Sequence, residues 1–521
     1  MSFRPISLES VLGKVYQRVL ISRTRAKLGN TLFSEQQYGF IPGSSSVDAV
    51  ENILKPVKAA WSGNRIALVI ALDIKGAFDN LFWPAALKSA MEARWPGEVI
   101  AVMRSYLSDR TATLRCGDKQ HTKILTKGAP QGSVLGPFMW NVGLDPLFLL
   151  FDDPDVDLTG FADDGTIVVV ADTLDEAWEK GQRQLTIFEQ WLYENKLTAA
   201  PPKMIHMLIA RYVKRVEDGL PHPLTLQGSS VERVSHHKIL GVIIDDRLTF
   251  RNHTDAVTAK AIGVFNRLRG LAGRSVHSPR ALKTIYLGAA VPAVSYGVEI
   301  WRHQLARRWP KIKLNTASRC CLTTVSGAFR SVSTEAAEIV AGVPPLDLLL
   351  WEVAMKAEYR KRGEVTIGVR ILRGVKKRVL GRALREATIQ TWNERWVGGT
   401  WGGITRKFFP TVKSRLGAKC EWGPQVTEVL TGHGYFGCHL KRIGKAGASG
   451  GRCNTCPRAV DDPEHRLLKC PAFAKPRIEL ERKLGSPLPA LHVIAAKVLG
   501  GKHPEPKLLE PFAEDRTNQR D

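Results

Sequence analysis

Four stretches of the chain have the hydrophobic pattern of β-strands. RIALVIALDI (65–74) is almost wholly apolar and rich in β-branched residues, which predicts a buried strand ending at Asp73. LTGFADDGTIVVV (158–170) predicts two strands joined by an Ala-Asp-Asp-Gly turn. Two more strands are predicted at 203–210 and 237–245. The pattern therefore puts acidic residues at the ends of apolar strands.

Most other segments have the apolar spacing of helices. Helices are predicted over 4–60, 83–107, 138–151, 174–195 and 256–349. The first of these is interrupted by the loop YGFIPGSSS, after which Ser46 is the predicted helix cap.

Two irregular features lie between the predicted helices. DKQH separates a predicted strand pair, TATLRCG and TKILTKG, and the loop GAPQGSVLGP (128–137) leads into the third helix. Together these elements predict an α+β protein.

The net charge of the chain indicates what kind of partner it binds. The 521 residues suggest about three or four domains, and 75 Lys and Arg against 50 Asp and Glu give a net charge of +25. So large an excess favours a polyanionic partner over a merely soluble basic protein. The apolar runs are too short to span a membrane, and no secretory signal opens the chain, so an intracellular location is expected. Eight cysteines are too few for a disulfide scaffold.

The strand-end acids are the first candidate chemistry. Asp163 and Asp164 form the predicted turn, and Asp73 ends another buried strand. Three carboxylates close together would repel one another, and two Mg²⁺ ions remove that cost. Such a metal pair activates an attacking hydroxyl and stabilises the leaving oxygen in phosphoryl transfer. An isolated Asp-Asp turn is most often only a solvated turn, so the apolar strands on either side carry this interpretation.

Three motifs occur in order: ALDIKGAFDN, GAPQGSVLGP and GFADDGTIVV. They resemble the consecutive palm motifs of reverse transcriptases. RPISLESVLGKVYQRVL and KILGVIIDDRLTF resemble the flanking blocks of non-LTR retrotransposon polymerases. With CNTCPRAVDDPEHRLLKC, the pattern is similar to the pol proteins of insect type-1 elements, which insert into ribosomal RNA genes. The resemblance covers residues 3–475.

The resemblance implies roles for individual residues. Asp73, Asp163 and Asp164 match the catalytic, magnesium-binding carboxylates. Phe78 matches the aromatic residue beneath the incoming sugar, where a bulky ring excludes a 2′-hydroxyl; taken alone, Phe78 would be a core phenylalanine. The remaining matches concern the nucleotide: Gln131 and Gly132 lie in the loop under the template base, and Lys203 corresponds to a lysine near the pyrophosphate leaving group.

The sequence departs from the family at one position of the YGFIPGSSS loop. Family members commonly have an arginine where this chain has Ser44. If that arginine holds the triphosphate, the contact is lost or is supplied by Arg4 or another basic residue nearby.

A second candidate site is the C-x2-C-x8-H-x4-C cluster of Cys453, Cys456, His465 and Cys470. Three thiolates and one imidazole satisfy tetrahedral Zn²⁺ without an open position, which predicts one structural zinc ion in a knuckle. A chance grouping is the alternative. The knuckle is expected to present basic residues to nucleic acid, namely Arg452, Arg458, Arg466 and Lys469.

Residues 356–395 contain twelve Lys or Arg against four Glu. A solvated helical face is the better interpretation of any single residue, but the group favours contact with RNA or DNA. Trp392 and Trp396 follow this charge and are expected to stack on bases.

The resemblance implies a right-hand polymerase with an antiparallel palm sheet. The domains expected are fingers and palm at 1–250 without the N-terminal part of the fingers, a helical thumb at 251–345, a basic helical connector at 346–445, the CCHC zinc knuckle at 446–475, and a tail at 476–521 whose end is poorly ordered. The opening reads as mid-domain sequence, so an N-terminally truncated fragment is expected.

The leading functional hypothesis is an RNA-directed DNA polymerase that copies element RNA onto a nicked chromosomal 3′ end, from deoxynucleoside triphosphates and in the nucleus. The family's endonuclease motifs are absent from these residues. One alternative is another palm polymerase, such as an intron maturase or a viral RNA polymerase; the spacing of Phe78 from Asp73 argues against the latter. The other is a remnant with weak catalysis that only binds nucleic acid, which Ser44 suggests.

Overall fold

A computed structural model describes residues 7–29, 32–211, 222–271, 278–418, 420–445, 450–500 and 503–513. Arg4, considered above as a substitute for a missing arginine, lies outside these ranges. The chain divides into two compact units, Met1–Thr249 and Phe250–Asp521. Within the described residues, no helix combines the length and apolar character needed to cross a lipid bilayer.

The strands are β1 (Ile66–Leu72), β2 (Thr111–Cys116), β3 (Lys119–Ile124), β4 (Val156–Phe161), β5 (Asp164–Ala171), β6 (Ile205–Ile209), β7 (Thr225–Leu226), β8 (Ser229–Ser230), β9 (Glu232–Arg233), β10 (His236–Ile239), β11 (Val242–Asp245), β12 (Glu364–Ile367) and β13 (Arg370–Arg373). The helices of the first unit are α1 (Val11–Leu28), α2 (Ser46–Ser62), α3 (Ala77–Asn80), α4 (Trp83–Glu92), α5 (Gly97–Leu107), α6 (Leu135–Phe148) and α7 (Leu174–Glu194).

The helices of the second unit are α8 (Arg251–Leu271), α9 (Pro279–Ile285), α10 (Val291–Ser295), α11 (Val298–Trp301), α12 (Arg308–Ser326), α13 (Thr334–Ala341), α14 (Leu346–Arg362), α15 (Lys377–Gly398), α16 (Gly403–Phe408), α17 (Val412–Leu416), α18 (Pro424–Thr431), α19 (Gly437–Arg442), α20 (Pro463–Leu468), α21 (Ala474–Leu484) and α22 (Leu491–Gly500).

A five-stranded sheet with the order β4-β5-β1-β6-β9 forms the centre of the first unit. β1 lies between β5 and β6 and is antiparallel to both, and β4 is antiparallel to β5. The antiparallel arrangement expected from sequence therefore describes four strands, whereas the short β9 runs parallel to β6. The unit mixes helices and sheet, as predicted.

Both faces of the central sheet are covered, which explains why β1 is apolar throughout rather than alternating. α2 and α7 both contact β1 and β5. At Gly181 of α7, an added Cβ would lie 2.7 Å from the Leu68 side chain, so a glycine is what allows the helix to approach this closely. Sheet and helices together bury the strand that leads to Asp73.

Local turns modify four of the predicted elements. The helix predicted over 83–107 is two helices, α4 and α5, interrupted before Pro96 where Arg94 has φ +54°. DKQH is not the loop of the β2–β3 hairpin, because its last three residues belong to β3. The strand predicted at 237–245 is the β10–β11 hairpin, which turns at Leu240 and Gly241. Ser45 rather than Ser46 caps α2, in a capping box with Asp48.

The second unit is largely helical and has its own core. The connector predicted to be helical also contains the β12–β13 hairpin. Residues of α15, α16 and α18 pack with Cys453 and Cys470 and with Ile494, Leu509 and Phe512. The expectation of a poorly ordered end is therefore wrong for residues 503–513, because Leu509 and Phe512 are fully buried. Residues 514–521 lie outside the described part of the chain.

Candidate active site and metal centre

The structure brings Asp73, Asp163 and Asp164 together at one end of the central sheet. Leu72 pairs with Gly165, so Asp73 follows β1 where β5 begins with Asp164. Phe161 pairs with Asp164 across the β4–β5 turn, which leaves Ala162 and Asp163 at its tip. The antiparallel register therefore brings Asp73 close to Asp163, although the two acids are 90 residues apart in sequence.

The carboxylates influence one another electrostatically. Partial loss of solvent raises the pKa of Asp164, and the negative charges of Asp163 and Asp73 raise it further, whereas Lys203 opposes the shift. The Lys203 Nζ lies 3.3 Å from both carboxylate oxygens of Asp73. Lys203 follows a short turn held by a hydrogen bond from the Ala200 N–H to the Asp73 carbonyl. A concentrated negative charge with one adjacent cation suits binding of divalent metal ions.

Two residues that the sequence did not reveal position the acidic turn. Trp140 of α6 donates a hydrogen bond from Nε1 to the Ala162 carbonyl at 2.8 Å. Gly39 packs so closely that an added Cβ would lie 2.0 Å from the Ala162 nitrogen. Ala162 itself has φ +59°, so the turn is held in a left-handed conformation from both sides. No pattern in the sequence indicates either contact.

Phe78 lies in an aromatic group beside the acids. Its ring stacks on Trp140 with centroids 5.7 Å apart and meets Phe40 edge-on at 6.0 Å. Phe78 is half-buried, so one part of the ring faces solvent. Trp140 therefore contacts both the acidic turn and Phe78, and it links their positions.

The loop that contains Gln131 and Gly132 lies against the segment after Asp73. Gln131 donates a hydrogen bond to the Asp79 carboxylate at 3.2 Å, and the Ala129 N–H bonds to the Phe78 carbonyl at 2.6 Å. Gly132 has φ +105°, a conformation that favours glycine. All the residues predicted to bind metal ions or nucleotide in the first unit thus belong to segments that meet at this sheet end.

The loop that carries Ser44 also has a basic neighbour. Arg25 of α1 donates a hydrogen bond to the Phe40 carbonyl at 3.4 Å, and partial burial lowers the pKa of its guanidinium. Phe40 in turn contacts Phe78. Arg25 therefore places a basic side chain at the loop.

Cys453, Cys456, His465 and Cys470 form a compact cluster in the second unit. Their ligand atoms all lie within 4.8 Å of one another, and the Cys453 and Cys470 sulfurs are 3.6 Å apart. Tetrahedral zinc with bonds of about 2.3 Å to sulfur separates two thiolates by about 3.8 Å. The His465 Nε2 is buried and has no hydrogen-bond partner within the described residues. The four side chains therefore fit a tetrahedral metal ion.

Hydrogen bonds hold the backbone around the four metal-ligand candidates in place. Cys453 and Cys456 lie in a turn closed by hydrogen bonds through Ala459, and Asp462 caps α20, which carries His465. Arg477 donates a hydrogen bond to the Cys470 carbonyl at 2.6 Å. Burial raises the pKa of the Cys470 thiol to about 11.

One predicted contact of the knuckle with nucleic acid is wrong. Arg466 is only 4% exposed, donates two hydrogen bonds of 2.7 Å to Asp461 and packs over the Phe436 ring. It is a buried structural residue because its charge is paired and its hydrophobic stem is covered. Arg452, Arg458 and Lys469 are exposed, so their charge remains available at the surface.

The basic stretch also contains both buried and exposed residues. Trp392 and Trp396 are each only 2% exposed, so the expectation that they stack on bases is wrong. The exposed cations at the start of α15 have no carboxylate partner within the described residues; they are Lys376, Lys377, Arg378 and Arg382. Unpaired, solvated cations on one helix end form a positively charged surface.

Parts of the chain are similar in sequence to known proteins. Residues 1–244 match the family model described as reverse transcriptase (RNA-dependent DNA polymerase). The Pol polyprotein from type-1 retrotransposable element R1 of Bradysia coprophila is 29% identical over 480 residues, 91% of this chain and 47% of the relative. A putative 115 kDa protein in element R1DM of Drosophila melanogaster is 29% identical over 481 residues, 91% of this chain and 46% of the relative.

Other similarities are more distant. The probable RNA-directed DNA polymerase from transposon BS of Drosophila melanogaster is 29% identical over 308 residues, 58% of this chain and 34% of the relative. A telomerase structure from Candida tropicalis aligns with a TM-score of 0.36 at 11% identity, over 72% of this chain and 61% of that one. The chain spans just under half the length of the two R1 relatives. Residues 1–244 thus match the reverse transcriptase family, and over 91% of its length the chain is similar to proteins of R1 retrotransposable elements.

Proposed function

We propose that this chain is an RNA-directed DNA polymerase that extends a DNA primer on an RNA template with deoxynucleoside triphosphates. The observation that carries the proposal is the meeting of Asp73, Asp163 and Asp164 beside Lys203 at the end of a buried sheet. The name of the BS relative, a probable RNA-directed DNA polymerase, supports the same activity. The resemblance of the motifs to non-LTR retrotransposon polymerases implies that the template is element RNA and the primer a nicked chromosomal end, which puts the site of action in the nucleus.

In this proposal each residue has a distinct task. Asp73, Asp163 and Asp164 hold two Mg²⁺ ions, which supply activation of the primer hydroxyl and stabilisation of the leaving oxygen. Phe78 packs beneath the sugar and excludes a 2′-hydroxyl. Lys203, next to Asp73, is positioned to stabilise the negative charge that develops on pyrophosphate.

The loop residues orient the template and the nucleotide. Gln131 and Gly132 lie under the template base, where the glycine lets the backbone approach closely. Arg25, through its contact with Phe40, replaces the arginine that the family commonly has at position 44.

We also propose a right-hand arrangement of fingers, palm and thumb, and one structural zinc ion held by Cys453, Cys456, His465 and Cys470. The close approach of the four ligand atoms supports the zinc ion. The exposed cations of the knuckle and of α15 would contact the phosphates of RNA or DNA.

A primer-extension assay tests the proposal. The full chain is incubated with an RNA template, an annealed DNA primer, Mg²⁺ and either deoxynucleotides or ribonucleotides. Extension with deoxynucleotides is expected, and Asp163→Ala should reduce it at least 1,000-fold, on the order of the loss when a metal-ion mechanism is removed. Asp152→Asn changes an exposed acid away from the turn and is the matched control.

Each other outcome identifies a different function. Undiminished extension by Asp163→Ala would contradict the assignment of the acids. Preference for ribonucleotides would indicate an RNA polymerase. Absence of product from the unmodified chain, with tight RNA binding retained, would support a protein that only binds nucleic acid.

A further inference from the structure

The second unit contains a cavity of about 470 Å³ that the polymerase function does not use. It is lined by residues of α12, α13 and α15 and by the Gly-rich segment that follows α15. We call it the Glu338 cavity after the acid in its wall. Its volume lies within the range of pockets that bind small ligands or single side chains.

Glu338 is a buried acid without a partner. The residue is only 3% exposed, and within the described residues no hydrogen bond or ion pair reaches its carboxyl group. The nearby acid Asp347 differs, because Arg395 binds both of its oxygens, at 3.0 and 2.8 Å. Arg395 is therefore bound to Asp347, and Lys311, which also lines the cavity, makes no ion pair with Glu338 within the described residues. A buried carboxyl left in this state costs free energy unless it is neutral or receives a partner.

Burial and the neighbouring acids favour the neutral form of Glu338 as long as no cation is bound beside it. Burial raises the pKa of Glu338 well above its usual range, and the charges of Asp347 and Glu335 raise it further, against the opposing effect of Arg395 and Lys311. Glu335 and Glu394 also line the cavity, as do the cations Lys311 and Arg395. The lining therefore holds three acids against two cations, and an ammonium group bound beside Glu338 would lower its pKa and stabilise the ionised carboxylate.

Tryptophans supply the rest of the wall. Trp392 and Trp396 are almost completely buried and form its inner part, whereas Trp401 is 68% exposed and lies at the opening. The face of an indole ring attracts cations, most strongly where water is excluded.

We propose that the Glu338 cavity binds an alkylammonium group, with Glu338 as its buried counter-ion and Trp401 as the aromatic residue that covers it. Two sources carry this chemistry, the lysine side chain of a basic protein segment and a free polyamine. The ammonium donates hydrogen bonds to the Glu338 carboxylate, and its alkyl stem packs on tryptophan. The site is separate from the acids at 73, 163 and 164, so it holds whether or not the chain polymerises DNA.

Titration of the full chain, freed of nucleic acid, tests the proposal by calorimetry and tryptophan fluorescence. The probes are N-acetyl-lysine amide and N-acetyl-norleucine amide, which match in apolar stem but differ in charge. The lysine probe is expected to bind at least tenfold more tightly than the norleucine probe. Glu338→Gln should weaken lysine binding at least tenfold, and Glu386→Gln, an exposed acid on α15, should leave it unchanged.

Trp401 provides a second variant that does not alter the core. Trp401→Ala should weaken lysine binding about fivefold or more, and Trp401→Phe should restore most of it, because phenylalanine also presents an aromatic face. Equal binding of the two probes, or unchanged lysine binding in either Glu338→Gln or Trp401→Ala, would overturn the proposal. If Glu338→Gln does not fold, Trp401→Ala alone decides it.

Comparison of spermidine with a lysine-containing peptide separates the two sources. Tighter binding of spermidine would assign the cavity to a polyamine, and tighter binding of the peptide would assign it to a protein segment. Binding of adenosine or guanosine in place of either cation would show that the cavity recognises a base, which contradicts the proposal.

Discussion

The backbone of Gly39 lies directly on the backbone of Ala162, where an added Cβ would be 2.0 Å from the Ala162 nitrogen. Replacement of Gly39 by Ala should therefore displace the turn that carries Asp163. We expect primer extension to fall at least tenfold while the chain stays folded, because the contact lies at the rim of the sheet. Extension rate and thermal unfolding measure the two effects. Gly97→Ala is the control, since nothing lies within 4 Å of its added Cβ.

Lys203 contacts both oxygens of Asp73, and its removal should slow the chemical step. Lys203→Ala is expected to lower kcat on the order of 100-fold, with a smaller effect on KM, because the lysine acts on charge that develops in the transition state. Lys203→Arg should retain part of the rate. Single-turnover nucleotide addition provides the measurement, with the exposed Lys88→Ala as control. Equal rates in Lys203→Ala and the parent chain would exclude this role.

Phe78 should decide which sugar is accepted. Phe78→Ala removes the ring that stacks on Trp140 and opens space for a 2′-hydroxyl. Discrimination against ribonucleotides is expected to fall roughly 100-fold, equivalent to about 2.7 kcal/mol. Phe78→Tyr keeps the ring and should preserve discrimination. The ratio of kcat/KM for matched deoxy- and ribonucleotides measures the effect, and an unaltered ratio in Phe78→Ala would show that Phe78 is only a core residue.

The metal centre should stabilise the second unit. One zinc ion per chain is expected by elemental analysis, and Cys456→Ser should release it and lower the unfolding temperature, because metal binding is coupled to folding. Cys116→Ser, an exposed cysteine outside the cluster, should change neither quantity. A metal-free chain that unfolds at the same temperature with and without added zinc would contradict the assignment.

His206 should make the stability of the chain depend on pH. Burial lowers its pKa from 6.5 to about 4, so the folded state keeps the ring neutral where the unfolded state binds a proton. The neutral histidine contributes its full stabilisation above pH 6.5, and this is lost as the pH falls towards 4. Between pH 6.5 and pH 4, the free energy of unfolding of the parent chain should fall by up to about 3 kcal/mol more than that of His206→Phe. Phenylalanine is chosen because its ring can also lie edge-on against Trp178.

Chemical unfolding of the full chain at several pH values measures this difference. The exposed His121→Gln should behave like the parent chain. If the parent chain and His206→Phe have parallel stability profiles between pH 4 and 6.5, His206 is not buried in the neutral form.

Local patterns in the sequence were sufficient for several features. The apolar, β-branched run 65–74 predicted β1 because a strand covered on both faces needs no polar positions. The Asp-Asp turn between two such runs predicted the β4–β5 hairpin, and the spacing of Cys453, Cys456, His465 and Cys470 predicted a compact cluster. These features depend on neighbours in sequence, so composition and spacing determine them.

Contacts between distant segments required the tertiary structure. Gly39 and Trp140 support the acidic turn from segments far away in sequence, and no local pattern indicates that they meet Ala162. Trp392, Trp396 and Arg466 looked like surface residues for nucleic acid because they lie in basic stretches, yet they are buried. The sequence by itself determined which segments become strands, helices and ligand clusters. Only the tertiary structure decided which side chains face water, because burial depends on what packs against a residue from elsewhere in the chain.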